Sequence, residues 1–284
     1  MSNQTRYCKS MNRYRLNLIA GFICLLGSAI AQAHDFWIEP STFVPEEDQA
    51  IDVSLHFGEK FKGDTLPYIN ALFNDFSVTD QHGRIDIKSV QGNDPAATIT
   101  TTVGAQLLGY QSNPQFVTVD AEKFNKYIEE EGIEYIREVR ERRGESNSPA
   151  PENFSRCAKA LIQSGPAEQE VYRQKLGYTL ELIPQKDPYT LKKGDALEFV
   201  LLYEGKPIDG LQVQALSKAT PDSVQKVRTD ANGKARIIVD ENGPWLVKVV
   251  LILPVPEKQR ISNGIRDAVW ESFWASYVFE LVEG

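Results

Sequence analysis

Histidine is the residue type best suited to metal chemistry in this sequence, and the chain has three: His34, His56 and His82. His34 directly follows Ala31-Gln32-Ala33, which fits the small-x-small pattern of a signal-peptidase site. Cleavage after Ala33 would make His34 the first residue of the mature chain. Its free amine and imidazole could then chelate one ion together with the imidazole of His56. Such nitrogen donors suit nickel, cobalt, copper and zinc.

Each histidine also has an ordinary interpretation, which the sequence leaves open. His34 could be a polar residue at the chain start, and His56 could be a polar side chain on the solvated face of a strand. His82 lies in an Asp-Gln-His-Gly string that is typical of an exposed turn. Asp35 and Glu39 could add carboxylate ligands. We predict a metal site formed by His34 and His56, and we assign no catalytic residue.

The N-terminal 33 residues have the composition of a secretory signal. Residues 1–15 carry four basic side chains and no acidic one, and an apolar run follows from Leu16 to Ile30. That run is shorter than the roughly 20 residues that span a bilayer, so we expect cleavage rather than a retained anchor. Removing 33 of the 284 residues leaves 251, and losing four positive charges changes the net charge from −8 to −12. We therefore expect a periplasmic protein with no stable membrane insertion.

The composition is that of an ordinary globular protein, with 42% apolar and 25% charged residues. The chain lacks the surplus of Lys and Arg that binding to a phosphate backbone requires, so we expect no nucleic-acid partner. Cys157 would be the single cysteine of the mature chain. A lone cysteine indicates a small buried side chain more often than a reactive thiol.

Hydrophobic periodicity predicts a mainly β fold, with two immunoglobulin-like β-sandwich modules and a helical insertion between them. We place the first module at 34–119, the helical segment at 120–176 and the second module at 177–284. In the first module, Ile51 to Phe57 alternates apolar and polar residues, as a half-buried strand does. The strands predicted in the second module are 178–183, 196–204, 211–217, 225–229, 234–239, 245–253 and 273–282.

The helical segment is predicted from residues spaced three to five apart. An amphipathic helix broken near Gly132 covers 121–143, and Asp120 is placed to be its N-cap. Pro151 is placed to begin a further short helix that carries Phe154, Ala158 and Leu161.

Two aromatic clusters have two possible roles. Phe36-Trp37 and the segment from Trp270 to Trp274 could line a ligand cleft, or they could belong to the hydrophobic core. A carbohydrate-binding or structural β-sandwich module that uses these clusters is therefore a further alternative, and metal titration would separate it from a metal-binding protein.

Several long strings of this sequence resemble one bacterial secreted family. They include HDFWIEP after the predicted signal, LLGYQSNPQFVTVDAEKFNKYIEEEGIEYI, GPWLVKVV and the closing WESFWASYVFEL. The sequence is similar to the domain-of-unknown-function family labelled nickel uptake transporter family protein, which is NikK-type and was formerly mislabelled NikM. The resemblance implies a periplasmic protein that works near transition-metal uptake, with a membrane metal transporter as its partner. His34 stands where the family's mature chain begins, and His56 falls in its SLHFGEKFKGD segment.

The resulting expectation is a secreted periplasmic transition-metal-binding protein, accessory to nickel or cobalt uptake, with copper as a further possible ligand. Binding rather than turnover is expected. A copper-dependent oxidative enzyme with an N-terminal histidine brace is the enzymatic alternative, because such sites also occur on β-sandwiches.

Overall fold

The computed structural model describes residues 35–167, 169–256 and 268–282. The predicted signal segment and His34 lie outside these residues. The described residues form 17 strands and two α-helices. In chain order the strands are β1 (Asp35–Pro40), β2 (Ala50–Glu59), β3 (Lys62–Leu66), β4 (Phe73–Asp80), β5 (Gly83–Asp86), β6 (Ala97–Thr100), β7 (Gly104–Ser112), β8 (Gln115–Val119), β9 (Ala150–Ser164), β10 (Leu180–Pro184), β11 (Asp195–Tyr203), β12 (Lys206–Pro207), β13 (Gln212–Ser217), β14 (Gln225–Arg228), β15 (Lys234–Val239), β16 (Gly243–Pro254) and β17 (Trp270–Leu281). The helices are α1 (Ala121–Glu130) and α2 (Glu134–Arg143).

The described strands form three sheets. The central sheet has nine strands in the order β14-β13-β16-β17-β9-β7-β4-β5, with β8 also paired to β9. The N-terminal sheet contains β1, β2, β3 and β6, and the C-terminal sheet contains β10, β11, β12 and β15. The long strands β17 and β9 pair in parallel, whereas β16 and β7 flank them in antiparallel register.

The central sheet is covered on both faces, so consecutive residues of its strands enter different cores. Leu161 and Tyr277 belong to the core shared with the C-terminal sheet. Their neighbours Ile162 and Val278 belong to the core shared with the N-terminal sheet. Because side chains alternate along a strand, a sheet with apolar residues at every position must be buried on both sides. The described residues therefore stack as three β layers.

The predicted broken helix is confirmed. Helix α1 buries Phe124, Tyr127 and Ile128, and α2 buries Ile136. Gly132 separates the two helices with a φ of +66°, a conformation that glycine adopts without the steric cost of a Cβ atom. Asp120 is at the N-cap position of α1 but makes no side-chain capping bond.

The prediction of a helix beginning at Pro151 is wrong, because 150–164 is the strand β9. The spacing of Phe154, Ala158 and Leu161 suits a helix face, but almost every residue of β9 is buried. A strand covered on both sides has no alternation of apolar and polar residues, so periodicity alone does not separate it from a buried helix.

The mainly β fold with helices between two β-rich parts is confirmed. The seven strands predicted in 177–284 correspond to β10, β11 and β13 to β17 within a few residues at each end. The immunoglobulin-like character and the boundaries 34–119, 120–176 and 177–284 stay predictions. The central sheet takes strands from each of these three segments. In the part of the chain described here, no helix is long and apolar enough to cross a membrane.

Candidate functional site

His56 lies on β2 opposite Trp37 of β1, in a directly paired position of the N-terminal sheet. Paired residues of an antiparallel ladder place their side chains on the same face. The imidazole stacks on the Trp37 ring, with 5.2 Å between centroids and 10° between planes. The buried Trp37 ring thus holds the imidazole in a fixed orientation. The alternation of apolar and polar residues in 51–57 predicted that the side chain of His56 lies on the other face of the strand from its apolar neighbours.

Glu39 is the nearest acid to His56, and its carboxylate is already hydrogen bonded. The Glu39 Oε2 atom lies 4.0 Å from Nε2 of His56. It accepts a bond of 2.9 Å from the Trp37 indole N–H, and Oε1 accepts one of 2.5 Å from the Lys218 ammonium. We call Trp37, Glu39, His56 and Lys218 the His56 site. The His56 and Glu39 side chains are 21% and 22% exposed, so solutes can reach both.

The electrostatics of the His56 site keep its acid charged and its imidazole neutral. Burial lowers the pKa of His56, Glu39 opposes that change, and Lys218 adds to it. Burial alone would raise the pKa of Glu39, but the hydrogen bonds from Lys218 and Trp37 outweigh it and hold that pKa below its usual value. A neutral imidazole is the form that binds a metal ion, because a protonated ring nitrogen has no free lone pair.

The two donors at the His56 site are farther apart than two ligands of one tetrahedral ion. Zinc-type ions hold nitrogen and oxygen ligands at about 2.0–2.2 Å in tetrahedral geometry, which places two ligands about 3.4 Å apart. The 4.0 Å between Nε2 of His56 and Oε2 of Glu39 must therefore shorten by roughly half an ångström before both can hold one such ion. In the described part of the chain, no group of three or more His, Cys, Asp or Glu residues is arranged to hold a metal.

Asp35, the other acid considered as a ligand, has a different role. Its carboxylate is buried and accepts a bond of 2.5 Å from the Lys248 ammonium on β16. Lys248 also donates to Glu131 at the end of α1, at 2.9 Å. Burial lowers the pKa of Lys248, but Asp35 and Glu131 outweigh this and raise it overall. Asp35 therefore ties β1 to the central sheet and to α1.

Of the remaining histidines, the structure describes His82, and His82 stands apart from the His56 site. His34, the first predicted ligand, lies outside the described residues. His82 is exposed in the turn between β4 and β5, and its backbone N–H donates to Asp80 at 2.8 Å. This turn belongs to the edge of the central sheet, whereas His56 belongs to the N-terminal sheet.

Cys157 and the aromatic clusters belong to the interior. Burial raises the pKa of the Cys157 thiol to about 12, so the reactive thiolate form is scarce at neutral pH. Trp270 is buried against Phe124, and Trp274 stacks on Tyr127. Buried rings leave no exposed aromatic platform in these two segments for a carbohydrate.

Lys218 and Asp94 are the members of this region that the sequence did not reveal. Lys218 is 179 residues from Glu39, and a contact at that separation depends on how the central and N-terminal sheets pack. Asp94 raises the pKa of His56 and accepts a hydrogen bond from Thr65, the residue opposite His56 on β3. The residues that neighbour Lys218 and Asp94 in the sequence give no indication that these two residues lie near His56 and Glu39.

The fold and the site define a mainly β protein with a solvent-accessible histidine–carboxylate pair on one outer sheet. The chain belongs to the family described as Domain of unknown function (DUF4198), whose match covers residues 31–252. No curated protein matches the chain. A solved structure described as a tetra-tandem repeat in the extending region of a large adhesion protein is 13% identical, with a TM-score of 0.20. The match covers 88% of this chain and 50% of that one, so the chain spans about half the length of that structure.

Proposed function

We propose that this chain is a secreted periplasmic protein that binds a divalent transition metal, with His56 as a ligand and Glu39 as the nearest carboxylate. The observation that carries the proposal is the accessible, neutral imidazole of His56, held by Trp37 at 4.0 Å from a charged carboxylate. An imidazole and a carboxylate are both common ligands for such ions. The metal is cargo in this proposal, and the protein captures it or hands it over.

His34 enters the proposal from the sequence. Cleavage after Ala33 would leave its amine and imidazole at the start of the mature chain, directly before Asp35. In the described strands Trp37 is the residue opposite His56. His34 is three positions before Trp37 in the chain, and a chain spans at most about 3.6 Å per position, so this stretch reaches at most about 11 Å. That limit is compatible with a shared ion.

The overall charge supports a cationic ligand, and one local charge opposes it. A mature chain with a net charge of −12 attracts divalent cations over long distances. Lys218 occupies one oxygen of Glu39 with its ammonium group. A metal that takes Glu39 as a ligand must therefore compete with Lys218 for that carboxylate.

Nickel or cobalt is the proposed cargo because of the resemblance to the nickel uptake family, and a membrane metal transporter is the proposed partner. Intrinsic affinity would favour copper over both, following the Irving–Williams order. Selectivity for nickel or cobalt would then depend on the geometry of the ligands or on the supply of metal. Oxygen consumption by the copper-loaded protein with a reductant would instead indicate the oxidative-enzyme alternative.

The experiment is a dialysis titration with Ni(II), Co(II), Cu(II) and Zn(II). Four proteins are compared: the mature chain from His34, the same chain with one added N-terminal alanine, His56→Ala and His82→Ala. We expect the mature chain and His82→Ala to bind one equivalent, and the other two to bind at least tenfold more weakly. Equal binding by all four proteins, or no binding by the mature chain, would refute the site. Intact mass of periplasmic material checks that the chain begins His-Asp-Phe-Trp.

A further inference from the structure

The loop between β2 and β3 holds two consecutive residues in the left-handed backbone region. Glu59 pairs with Lys62, so Lys60 and Phe61 form a two-residue hairpin loop. Their φ angles are +53° and +61°. Such a loop favours Asn-Gly, because a residue with a Cβ atom is strained at positive φ. A phenylalanine at the second position is therefore unfavourable for the turn itself.

The hairpin between β11 and β12 is a matched case in the same chain. Tyr203 pairs with Lys206, so Glu204 and Gly205 form a loop of the same length. Their φ angles of +49° and +76° are close to those of the β2–β3 loop. The second position there is glycine, which adopts this conformation without steric cost. The reason for an aromatic residue at Phe61 therefore lies in what its ring contacts.

The ring of Phe61 contacts two members of the His56 site. Its centroid lies 5.8 Å from that of Trp37, and the two planes meet edge to face at 74°. The ammonium of Lys218 lies 5.8 Å from the same centroid, within the range of a cation–π contact. Phe61 is buried in spite of its place in a loop. It thus adjoins both the ring on which His56 stacks and the cation that is paired with Glu39.

Two glycines leave room for this ring beside the sheet. Gly58 lies two residues after His56 and pairs directly with Gly63. Because side chains alternate along a strand and paired residues share a face, both glycines belong to the face that carries His56. An added Cβ atom at either one would lie 2.0 Å from a backbone carbonyl oxygen of the opposite strand, so no side chain fits. That face is therefore clear of side chains between the loop and His56 in these two strands.

An ion pair joins the loop to the segment that carries Lys218. The Nζ atom of Lys60 lies 2.7 Å from a carboxylate oxygen of Asp222, four positions after Lys218. Both side chains are exposed, and exposed ion pairs contribute little to stability. The position of the loop therefore depends mainly on the buried ring of Phe61.

We propose that Phe61 is a positioning residue of the His56 site, an inference that rests on the metal-binding function proposed above. The ring fixes Trp37, and Trp37 fixes the imidazole of His56 by stacking on it at 5.2 Å. A side chain that is already held in one orientation loses less conformational entropy when it binds an ion. The strained loop is retained because it carries this ring.

The first experiment observes His56 by NMR in variants of the mature protein, without metal. The ring current of Trp37 shifts the ring protons of the stacked His56 upfield, and His82 in its exposed turn is the unshifted reference. Phe61→Leu keeps the strained backbone and an apolar side chain but removes the ring, so the His56 signals should move toward those of His82. Phe61→Tyr keeps the ring and should keep the parent signals. Lys60→Gly is the matched control, because it removes the ion pair and one strained residue but leaves the ring in place.

The second experiment measures Ni(II) and Cu(II) binding in the Lys218→Gln protein. This background removes the contact between Lys218 and Phe61, so any remaining effect of Phe61 acts through Trp37. Phe61→Leu should weaken binding about fivefold, the order of magnitude of one aromatic contact, and Phe61→Tyr should not weaken it. If even the parent protein binds no metal, the metal site is refuted, and the NMR signals still decide whether Phe61 positions His56.

A third measurement needs no variant, so it remains decisive if Phe61→Leu fails to fold. Nuclear Overhauser contacts between the rings of Phe61 and Trp37 are recorded in the parent protein before and after saturation with diamagnetic Zn(II). Both spectra should contain them. The proposal is wrong if these contacts disappear with Zn(II), if Phe61→Leu leaves the His56 signals in place, or if Phe61→Tyr or Lys60→Gly moves them as far as Phe61→Leu does. Equal metal affinity of Phe61→Leu and Phe61→Tyr in the Lys218→Gln background would also overturn it.

Discussion

The His56 site and the pair formed by Lys159 and Glu181 both bring a carboxylate to a lysine at 2.5 Å, but in different surroundings. Glu39 at the His56 site keeps 22% of its side chain exposed, whereas Lys159 and Glu181 lie between the central and C-terminal sheets with 2% exposed. Water can replace Lys218 beside Glu39, so this carboxylate is open to exchange with solutes. Nothing can replace Lys159 beside Glu181 without leaving a buried charge. Accessibility therefore separates an exchangeable site from a fixed one.

The largest expected effect comes from breaking the fixed pair. Burial lowers the pKa of Lys159 to about 8 although Glu181 opposes the change, so the pair depends closely on both partners. Lys159→Met leaves Glu181 buried without its cation and should reduce the free energy of unfolding by about 3–5 kcal/mol. Lys218→Met is the control at the exposed site and should lose less than about 1 kcal/mol. Urea unfolding measures both. Similar losses in the two variants would contradict the comparison.

The second effect is a pH dependence of stability that originates in the central sheet. Burial raises the pKa of Glu152 from 4.5 to about 7, although a hydrogen bond with Ser272 opposes it. The folded protein then binds one proton more than the unfolded chain between these pH values. The contribution of Glu152 to stability is complete below about pH 4.5 and is lost as the pH rises to about 7.

A substitution of Glu152 tests this pH dependence of stability. Between pH 4.5 and pH 7 the parent protein should lose about 3 kcal/mol of unfolding free energy. Glu152→Gln has no proton to release, so its unfolding free energy should change less over this range. Denaturation curves of both proteins at several pH values check this. Parallel pH profiles would show that Glu152 is not the group responsible.

The third prediction distinguishes Asp35 from Glu39, which the sequence analysis gave the same possible role as metal ligands. Asp35→Asn weakens the buried contact with Lys248 and should cost about 1–3 kcal/mol of stability, with metal affinity unchanged. Glu39→Gln should weaken metal binding and change stability by less than about 1 kcal/mol. Thermal unfolding and metal titration of both variants give the four values. Loss of metal affinity in Asp35→Asn alone would exchange the roles of the two residues.

The smallest expected effect concerns the competition between Lys218 and the metal. Lys218→Gln removes a positive charge next to Glu39, and about 1 kcal/mol of repulsion corresponds to roughly fivefold tighter metal binding. Lys193→Gln, which removes an exposed lysine paired with Glu241 in segments outside the strands, is the control and should have no effect. Weaker metal binding by Lys218→Gln would contradict this competition and would mean that Lys218 instead holds Glu39 in position for the metal.

The sequence predicted those parts of the fold that local periodicity determines. The alternation from Ile51 to Phe57 gave β2, and the seven C-terminal strands were found with small shifts of their ends. Gly132 correctly predicted the break between α1 and α2. The sequence failed at β9, where almost every position is buried because the strand is covered on both sides. The strand β7 was also missed, because both of its faces are buried and its residues do not alternate.

The candidate site was predictable in one of its parts. His56 could be chosen because its neighbours placed it on the open face of a strand. The sequence could not show which of Asp35 and Glu39 lies beside His56. That depends on the β1–β2 register and on the contact of Asp35 with Lys248, which is more than 200 residues away. Lys218 is absent from the prediction for the same reason. Local patterns identify a candidate ligand, and the packing of distant strands decides which charges surround it.

The most direct test of the central claim observes the imidazole of His56 while the metal is added. Histidine ring signals of the mature protein are recorded by NMR during addition of small amounts of Ni(II) or Cu(II), which broaden the signals of coordinated rings. We predict that His56 broadens first and that His82, in its exposed turn, stays sharp. Broadening of His82 before His56, or equal effects on both rings, would contradict the proposal that His56 is the ligand.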